Sequence, residues 1–511
     1  MITRRSFTGL VGGAALATSS GLSKAQQPQP RRGGRVRVVL QETASSSLLD
    51  PTKVASWSVY FAYELIGARL VGVDSHLQPI PALAESWEAA NGQVNDWIFR
   101  LRRGAEFHDG KSVSSQDVIY TINRLRDPAA QSPLRVLVDH VSAIIAEDAL
   151  TVRFKLSRPD ADFPLLLAQD RFHIFPEGYS RFDKPLGAGA FIANGLDPAG
   201  VNTYRRNPNF WDSGKPYLDE VSFQGNQDSI ARVSALLAGD VDAIQAVSFS
   251  LAKRVTATPG LDVVSSPSGL HNAIAMHVDK EPFDRIEVRN ALKCLLDRSL
   301  LRDKLCAGQA SIGNDHPIPP FSPFYHSELP LRSYDPDRAR TLLRKADINL
   351  NGLVLHASDA VTPGVAVDLA QIFADTAREA GVSVQARRDP VTGYWDNIWL
   401  KEPLMVGAWG TRYTPDAMLR VAYRSDAKWN ETRWRRPEID RMMDEAVATT
   451  DFARRRMLYW DIQEAIHNDG GAAIPVFFNQ LDAKASYVKG VMPSPLGGLK
   501  GWAFSDIWLD R

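Results

Sequence analysis

The stretch "FHDGKSVSSQDVIYTINRLRD", residues 107–127, joins a turn to the start of an amphipathic helix. Asp109 and Gly110 form a turn dipeptide, and Asp117 follows a run of serines at a position that favours the first helical turn. Apolar residues then recur with helical spacing from Val118 to Leu125. His108 has no catalytic partner at a defined spacing, so this stretch predicts scaffold rather than an active site.

Four further segments carry equally clear local signals. "GGRVRVVLQET", residues 33–43, predicts an opening β-strand that ends in a loop over 41–47. "SIARVSALLAGDVDAI", residues 229–244, predicts a helix closed by Gly239 and followed by a short strand. Residues 335–348 predict a helix that begins at Pro336, and residues 436–469 predict a long helical pair.

Length and composition bound the class of protein. A chain of 511 residues exceeds the roughly 250 to 300 residues that one core supports, so at least two lobes are expected. Lys plus Arg and Asp plus Glu number 59 each, which removes the bulk attraction that nucleic-acid or anionic-membrane binders need. The 44% apolar content and twelve tryptophans favour a globular protein with an aromatic-lined pocket.

Residues 1–25 have the pattern of a secretion signal. A cationic start precedes a weakly apolar Gly/Ala-rich middle and a small-x-small ending at Ser23, Lys24 and Ala25. The run from Thr3 to Phe7 resembles the twin-arginine motif, so we expect export by the twin-arginine translocation machinery and a soluble periplasmic protein. A basic disordered tail is the alternative. No cysteine follows the signal, which disfavours a lipoprotein.

Cys294 and Cys306 are the two cysteines of the chain. An oxidising compartment permits a bridge between them. Cys294 also fits the apolar side of a helix, where a free cysteine behaves as a small hydrophobic residue. Buried free thiols and a local disulfide therefore both remain open.

Eight phrases of the chain, taken in order over about residues 35–490, resemble the family 5 extracellular solute-binding proteins. These are the peptide, nickel and opine receptors of bacterial ABC importers. The phrases are "LQPIPALAESWE", "FHDGKSVSSQDVIYTINRL", "LGAGAF", "YRRNPNFWDSGKPYLDEVSF", "LLAGDVDA", "EPFDRIEVRNALKCLLDRSLL", "YDPDRARTLLRKA" and "RPEIDRMMDEAVATTDFARRRMLYWDIQEAI". The order is specific for the fold, whereas the pocket of such proteins varies.

The resemblance implies an α/β protein with the two-lobed type II periplasmic-binding-protein fold and an extra α+β subdomain inserted in lobe one. Lobe one would comprise residues 33–52, 186–269 and 480–511. The inserted subdomain would comprise residues 53–185, and lobe two residues 270–479. The hinge would fall near "GLHNA" and "FNQLD". A small-molecule or short-peptide solute would bind between lobes that close over it.

The residues expected to contact the solute lie at strand ends, at the hinge and around the stretch "GAWGTRYTPDAML", residues 407–419. They are Gln41, Thr43, Ser45, His271, Asn272, Tyr394, Trp395, Trp409, Arg412, Asp416 and Asn479. Tyr394, Trp395 and Trp409 are expected to offer flat apolar walls, with core packing as the alternative for the first two.

Arg412 separates this chain from the peptide receptors it resembles. In those receptors the position that corresponds to Arg412, three residues after the tryptophan that matches Trp409, is an Asp that pairs with the amino terminus of the peptide. A guanidinium instead suits a carboxylate, phosphate or sulfonate, so Arg412 is expected to contact an anionic group. Two alternatives remain: Arg412 could bridge to a lobe carboxylate, and Asp416 could take the amine after a loop shift or simply form a turn.

An enzyme is the rival class, and its motifs are absent from the sequence. There is no G-x-S-x-G, no H-E-x-x-H and no nucleotide-binding G-x-x-x-x-G-K-[ST]. His271 and His277 could share one strand face and hold a metal or haem, but ordinary hydrogen-bonded histidines are the simpler interpretation. We therefore expect a non-enzymatic, cofactor-free, metal-free monomer.

Its expected partners are the solute and an inner-membrane ABC permease with a separate ATPase. An exported hydrolase or a chaperone-like scaffold is the alternative function. The sequence does not decide among peptide, opine, sugar, haem and nickel complexes.

Overall fold

The protein is described by a computed structural model covering residues 29–42, 49–53, 57–132, 134–197, 200–497 and 504–511. The predicted signal peptide at 1–25 and the predicted contacts Thr43 and Ser45 lie outside these residues. The architecture is α/β, with one large sheet in each of two lobes.

The sheet of lobe one has the order β12-β20-β11-β1-β10-β9-β8, so the first strand lies at its centre. Its strands are β1 (Arg35–Leu40), β8 (Phe191–Ala193), β9 (Asn202–Arg206), β10 (Glu220–Gly225), β11 (Ala243–Ile244), β12 (Leu261–Ser266) and β20 (Gln480–Ala485). β1 pairs in parallel with β10 and β11, as the buried centre of an α/β sheet requires. The predicted opening strand is confirmed.

The sheet of lobe two has the order β14-β19-β13-β17-β15-β16, with β18 also paired to β13. Its strands are β13 (His271–Met276), β14 (Ala310–Ile312), β15 (Leu353–Ala357), β16 (Val384–Arg388), β17 (Leu404–Trp409), β18 (Ala472–Ala473) and β19 (Val476–Phe478). The central pair, β13 and β17, is antiparallel and places His271 opposite Trp409. This pair carries three of the predicted site residues, His271, Asn272 and Trp409.

Helices pack against the two large sheets and against the sheet of the subdomain described below. They are α1 (Trp57–Ile66), α2 (Ser115–Arg126), α3 (Arg135–Val138), α4 (Phe163–Leu166), α5 (Ser229–Ala238), α6 (Phe249–Thr256), α7 (Ile286–Cys294), α8 (Arg298–Cys306), α9 (Pro336–Lys345), α10 (Ala366–Arg378), α11 (Tyr394–Asn397), α12 (Pro415–Ala422), α13 (Pro437–Ala448) and α14 (Phe452–Asp469), with short 3₁₀ turns at Ala90–Gly92, Pro128–Ala130 and Phe504–Asp506. In lobe two, α7, α9 and α10 bury one face of the sheet, and α12 to α14 bury the other.

The local signals of the sequence are confirmed at helix ends. Asp335 accepts a hydrogen bond from the backbone N–H of Arg338, 2.8 Å away, and so caps α9. Gly239, with φ of 77°, ends α5 in the left-handed conformation that glycine adopts without strain. The two cysteines are free and buried, Cys294 in α7 and Cys306 at the end of α8, so the disulfide alternative is excluded.

A subdomain with its own core precedes β8. Its strands are β2 (Val71–Val73), β3 (Pro79–Pro81), β4 (Ala84–Ala89), β5 (Asp96–Leu101), β6 (Val141–Asp148) and β7 (Thr151–Leu156). The last four form a sheet of order β4-β5-β7-β6, against which α2 packs. Asp117 lies in the first turn of α2, as predicted, and its carboxylate accepts from the backbone N–H of Ser114 at 2.8 Å.

The chain enters and leaves this subdomain through a narrow neck. The backbone N–H of Gly189 donates to the carbonyl of Ile66 at 3.0 Å. A Cβ atom at Gly187 would lie 1.9 Å from the same carbonyl oxygen, so only glycine allows the two passages to run this close.

The polypeptide crosses between the two large sheets at two places. Residues 267–270 join β12 to β13, and residue 479 joins β19 to β20. These are the segments that the sequence predicted as hinge. The strand pairing is consistent with lobe boundaries at 269/270 and 479/480, which we keep as a proposal together with the bounds 53–185 of the inserted subdomain. Two further strands, β21 (Val488–Lys489) and β22 (Trp508–Leu509), pair near the end of the chain.

Candidate ligand-binding cleft

A cavity lies between the inserted subdomain and lobe two. Its walls are mainly apolar. The inserted subdomain contributes His76, Leu77, Gln78, Asp162 and Leu165, the crossing segment contributes Gly269, and lobe two contributes Pro317, Ile318, Pro319, Phe321, Ser322, Pro323, Phe324, Gly410, Arg412, Tyr413, Thr414, Pro415 and Met418. A concave, apolar space with few charged groups is typical of a small-molecule site.

The loop between β17 and α12 forms one edge of this cavity. The strand ends at Trp409, and α12 begins at Pro415, whose ring cannot donate a backbone hydrogen bond and therefore suits the first helical turn. The Thr414 hydroxyl caps the helix by accepting from the N–H of Ala417 at 3.1 Å. The N–H of Gly269 donates to the Thr411 hydroxyl at 2.9 Å, which ties the loop to the crossing segment.

Arg412 lies in this loop and lines the cavity. Its side chain makes no hydrogen bond and no ion pair with any of the described residues. Part of the residue reaches solvent, yet the cavity walls remove enough water to lower the pKa of the guanidinium by desolvation. The alternative of a bridge to a lobe carboxylate is not realised in this conformation.

Trp409 supports this loop from behind rather than lining the cavity. It is buried, and its indole N–H donates to Glu431 Oε1 at 2.8 Å, while the indole N–H of Trp399 donates to Glu431 Oε2 at 2.8 Å. Burial raises the pKa of the Glu431 carboxyl. The carboxylate lies over Gly407, where a Cβ atom would be 2.1 Å from Oε2. Glu431 thus fixes the end of β17 from which Arg412 extends.

The predicted hinge residues lie next to the cavity and bind protein groups. His271 is buried, its Nδ1 lies 2.9 Å from the carbonyl oxygen of Gly269, and burial lowers the pKa of its imidazole to about 4. Asn272 donates to Thr362 Oγ1 at 2.9 Å and to the carbonyl of Gly407 at 3.1 Å. Asn479 donates to Ser265 Oγ at 2.9 Å. These side chains stabilise the crossing segments and do not line the cavity.

Tyr394 is a correction to the sequence expectation of an apolar wall. It is buried, and its hydroxyl donates to the carbonyl of Val406 at 2.8 Å, because α11 folds back along β17. The alternative of core packing therefore holds. Trp395 is 41% exposed and packs edge-on against Tyr394 and Trp399, outside the cavity lining.

Asp416 is a second correction. It is buried in the first turn of α12, and Arg420 pairs with both of its carboxylate oxygens at 3.0 and 3.1 Å. A carboxylate engaged in this way does not replace the amine anchor of the peptide receptors. Gln41 is exposed at the end of β1, where its backbone N–H donates to the Gln245 side chain at 3.0 Å. Arg412 is therefore the one predicted contact, among those described, that lines the cavity.

Sequence reasoning missed the lobe-two wall formed by "PIPPFSPF", residues 317–324. This loop has no helical or strand periodicity, although its four prolines and two phenylalanines are a signal for a rigid apolar loop. The wall from the inserted subdomain was missed as well. Among the described residues no group of three His, Cys, Asp or Glu side chains could hold a metal ion, and no helix is long and apolar enough to cross a membrane.

Two large sheets joined by two short crossings, with a cavity between lobes, define a solute-binding protein of the two-lobed type. Residues 78–431 match the family model described as bacterial extracellular solute-binding proteins, family 5, middle region. The chain belongs to this family.

Two curated relatives and one solved structure illustrate the range of similar proteins. The chain is 27% identical over 468 residues to heme-binding protein A of Haemophilus influenzae, which covers 82% of each chain. It is 25% identical over 461 residues to the dipeptide-binding protein of Escherichia coli, which covers 82% of this chain and 84% of the relative. The structure of HbpA2 from Haemophilus parasuis superposes with a TM-score of 0.84 at 18% identity, covering 94% of this chain and 100% of that chain.

The chain is accordingly the binding component of an ABC importer, which captures a solute between two lobes and delivers it to the membrane permease. The family consists of extracellular binding proteins rather than enzymes. The alternatives of a hydrolase or a chaperone-like scaffold gain no support from these similarities.

Proposed function

We propose that this protein is a periplasmic receptor for a small organic solute or short peptide that carries an anionic group held by Arg412. The observation that supports the proposal is an unpaired guanidinium in an apolar cavity. The cavity walls remove part of the water around this cation, which is costly without a counter-charge, and an anionic solute would offset that cost. The first turn of α12, next to Arg412, adds the positive end of the helix dipole.

The lining of the cavity also indicates the chemical character of the rest of the solute. Most of its lining is Pro, Phe, Ile, Leu and Met, so the body of the solute is apolar or presents apolar faces. The relatives named above are a heme-binding and a dipeptide-binding protein, so membership of the family does not identify the solute. The lining of the cavity is the better guide to its chemistry.

Export by the twin-arginine route and a monomeric state complete the proposal. The sequence from Thr3 to Phe7 supports the route. Replacing Arg4 and Arg5 by Lys is expected to leave unprocessed precursor in the cytoplasm, because that receptor distinguishes guanidinium from ammonium groups. Normal processing in a strain that has only the general secretory route would exclude it.

The anion site is tested once a solute is identified. A thermal-shift screen of the mature protein against peptides, opines, sugars, haem and nickel complexes supplies the solute, since a ligand of the folded form raises the melting temperature. Calorimetric titration of Arg412→Ala is then expected to show affinity weakened roughly 10- to 150-fold, the effect of losing one charged hydrogen bond.

Two controls make the result specific. Arg412 has no partner in the part of the chain that the structure describes, so the ligand-free variant should melt within about 1 °C of the parent. Arg435 is an exposed arginine outside the cavity, and Arg435→Ala removes the same charge from the same lobe. Equal affinities for the parent, Arg412→Ala and Arg435→Ala would show that Arg412 does not contact the solute.

A further inference from the structure

A buried ion pair joins the inserted subdomain to lobe two. Arg455 Nη2 of α14 lies 2.8 Å from Asp162 Oδ1, immediately before α4, and the two side chains are only 10% and 11% exposed. The residues are 293 positions apart in the chain. The contact therefore exists only while these two parts of the protein lie together.

A backbone hydrogen bond reinforces the same contact. The N–H of Ala161 donates to the carbonyl of Val447, near the end of α13, at 2.8 Å. Ala161 is adjacent to Asp162, and α13 packs against α14, so both bonds close the same side of the cleft.

The ion pair is also part of the cavity wall. Asp162 lines the cavity directly. The Arg455 guanidinium lies 5.0 Å from the ring centroid of Phe324, another lining residue, and 5.8 Å from that of Tyr459. Cations at these distances are attracted to aromatic faces. Arg455 is thus held between the carboxylate and two rings in the closed arrangement.

We propose that Asp162 and Arg455 form a latch that holds the cleft closed. In an open cleft each charged group regains water, whereas in the closed cleft each depends on the other. Removing one partner leaves an uncompensated buried charge, and that penalty falls on the closed state alone. The neighbouring charges do not substitute, because Asp160 lies 3.2 Å from His140 and Asp416 is paired with Arg420.

The latch is tested on the ligand-free mature chain by single-molecule energy transfer. Cysteines for the two dyes replace Val136 in the inserted subdomain and Leu331 in lobe two, which are 67% and 58% exposed, while the native cysteines are buried. Arg455→Met keeps most of the side-chain volume and removes the charge. Its ratio of closed to open molecules is expected to fall about 100-fold or more.

Three further variants make the test decisive. Arg454→Met removes the neighbouring exposed arginine, which pairs with Glu445 in the same lobe at 2.6 Å, and should leave the ratio unchanged. Arg455→Lys, which preserves the charge and the fold, should reduce the ratio only partly. Exchanging the charges in Asp162→Arg with Arg455→Asp should recover part of the loss. Equal ratios for Arg455→Met, Arg454→Met and the parent would overturn the latch.

Discussion

Replacement of Gly407 by Ala tests whether Glu431 holds the end of β17. Gly407 does not have positive φ, so alanine costs nothing in backbone conformation. Its Cβ would lie 2.1 Å from Glu431 Oε2 and 3.0 Å from Oε1. To restore ordinary contact the carboxylate must retreat by roughly 1 Å, which breaks the 2.8 Å hydrogen bond from Trp399.

The magnitude follows from two opposing effects. Loss of one charged hydrogen bond in a buried site costs about 1.5 to 3 kcal/mol. Alanine in place of glycine returns about 0.4 to 1 kcal/mol by restricting the unfolded chain. We therefore expect the free energy of unfolding to fall by about 0.5 to 2.6 kcal/mol in Gly407→Ala.

Urea titration followed by tryptophan fluorescence measures this difference. Gly410→Ala, three residues further along, is the matched control because its Cβ would have no atom within 4 Å. The control should unfold at the parent's midpoint or slightly above it. If Gly407→Ala and Gly410→Ala unfold at the same urea concentration, the carboxylate moves freely and does not anchor the strand.

Three other outcomes are expected. Burial lowers the pKa of five histidines from the 6.5 of an unfolded chain to about 4 or about 3, so their stabilising effect is complete above pH 6.5 and is lost as pH falls towards 4. They are His173, His271, His277, His316 and His467. Each histidine lowers the free energy of unfolding by up to about 1.4 kcal/mol for each pH unit below its unfolded pKa. Asp162 and Asp482, whose pKa values burial raises to about 6 and about 7, partly oppose this loss. A melting temperature that does not fall between pH 6.5 and 4.5 would contradict this assignment. Tyr394→Phe should be about 1 kcal/mol less stable than the parent and should bind the solute with the same affinity. Weaker binding measured by calorimetry would show that Tyr394 contacts the solute. Asp416→Asn should bind the solute with the parent's affinity in the same titration, and weaker binding would show that Asp416 contacts the solute.

The sequence predicted those parts of the fold whose cause is local. Helix ends at Asp335 and Gly239 were predictable because capping and left-handed φ depend on single residues. The opening strand was predictable from its alternation. The resemblance to a family added the order of the elements, which no local signal contains.

The candidate site was less predictable because cavity lining depends on which way a segment folds back. Arg412 was identified since it follows the end of a central strand and departs from the related receptors. Tyr394 has the composition of a binding wall, but α11 turns its hydroxyl to the carbonyl of Val406. Nothing near Asp162 in the sequence indicates that Arg455, almost 300 residues away, will lie beside it.

The glycine neck bears on how such a protein can be rebuilt. Because the passages at Ile66 and Gly189 are hydrogen-bonded to each other, the segment between them begins and ends at nearly one point in space. A segment of that kind can be removed, exchanged or circularly joined without separating the strands on either side. Its buried apolar residues, from Leu70 to Ala188, form a core of their own. The neck therefore makes this region a transplantable cassette, and a chimaera could carry the corresponding segment of another protein between Ile66 and Gly189.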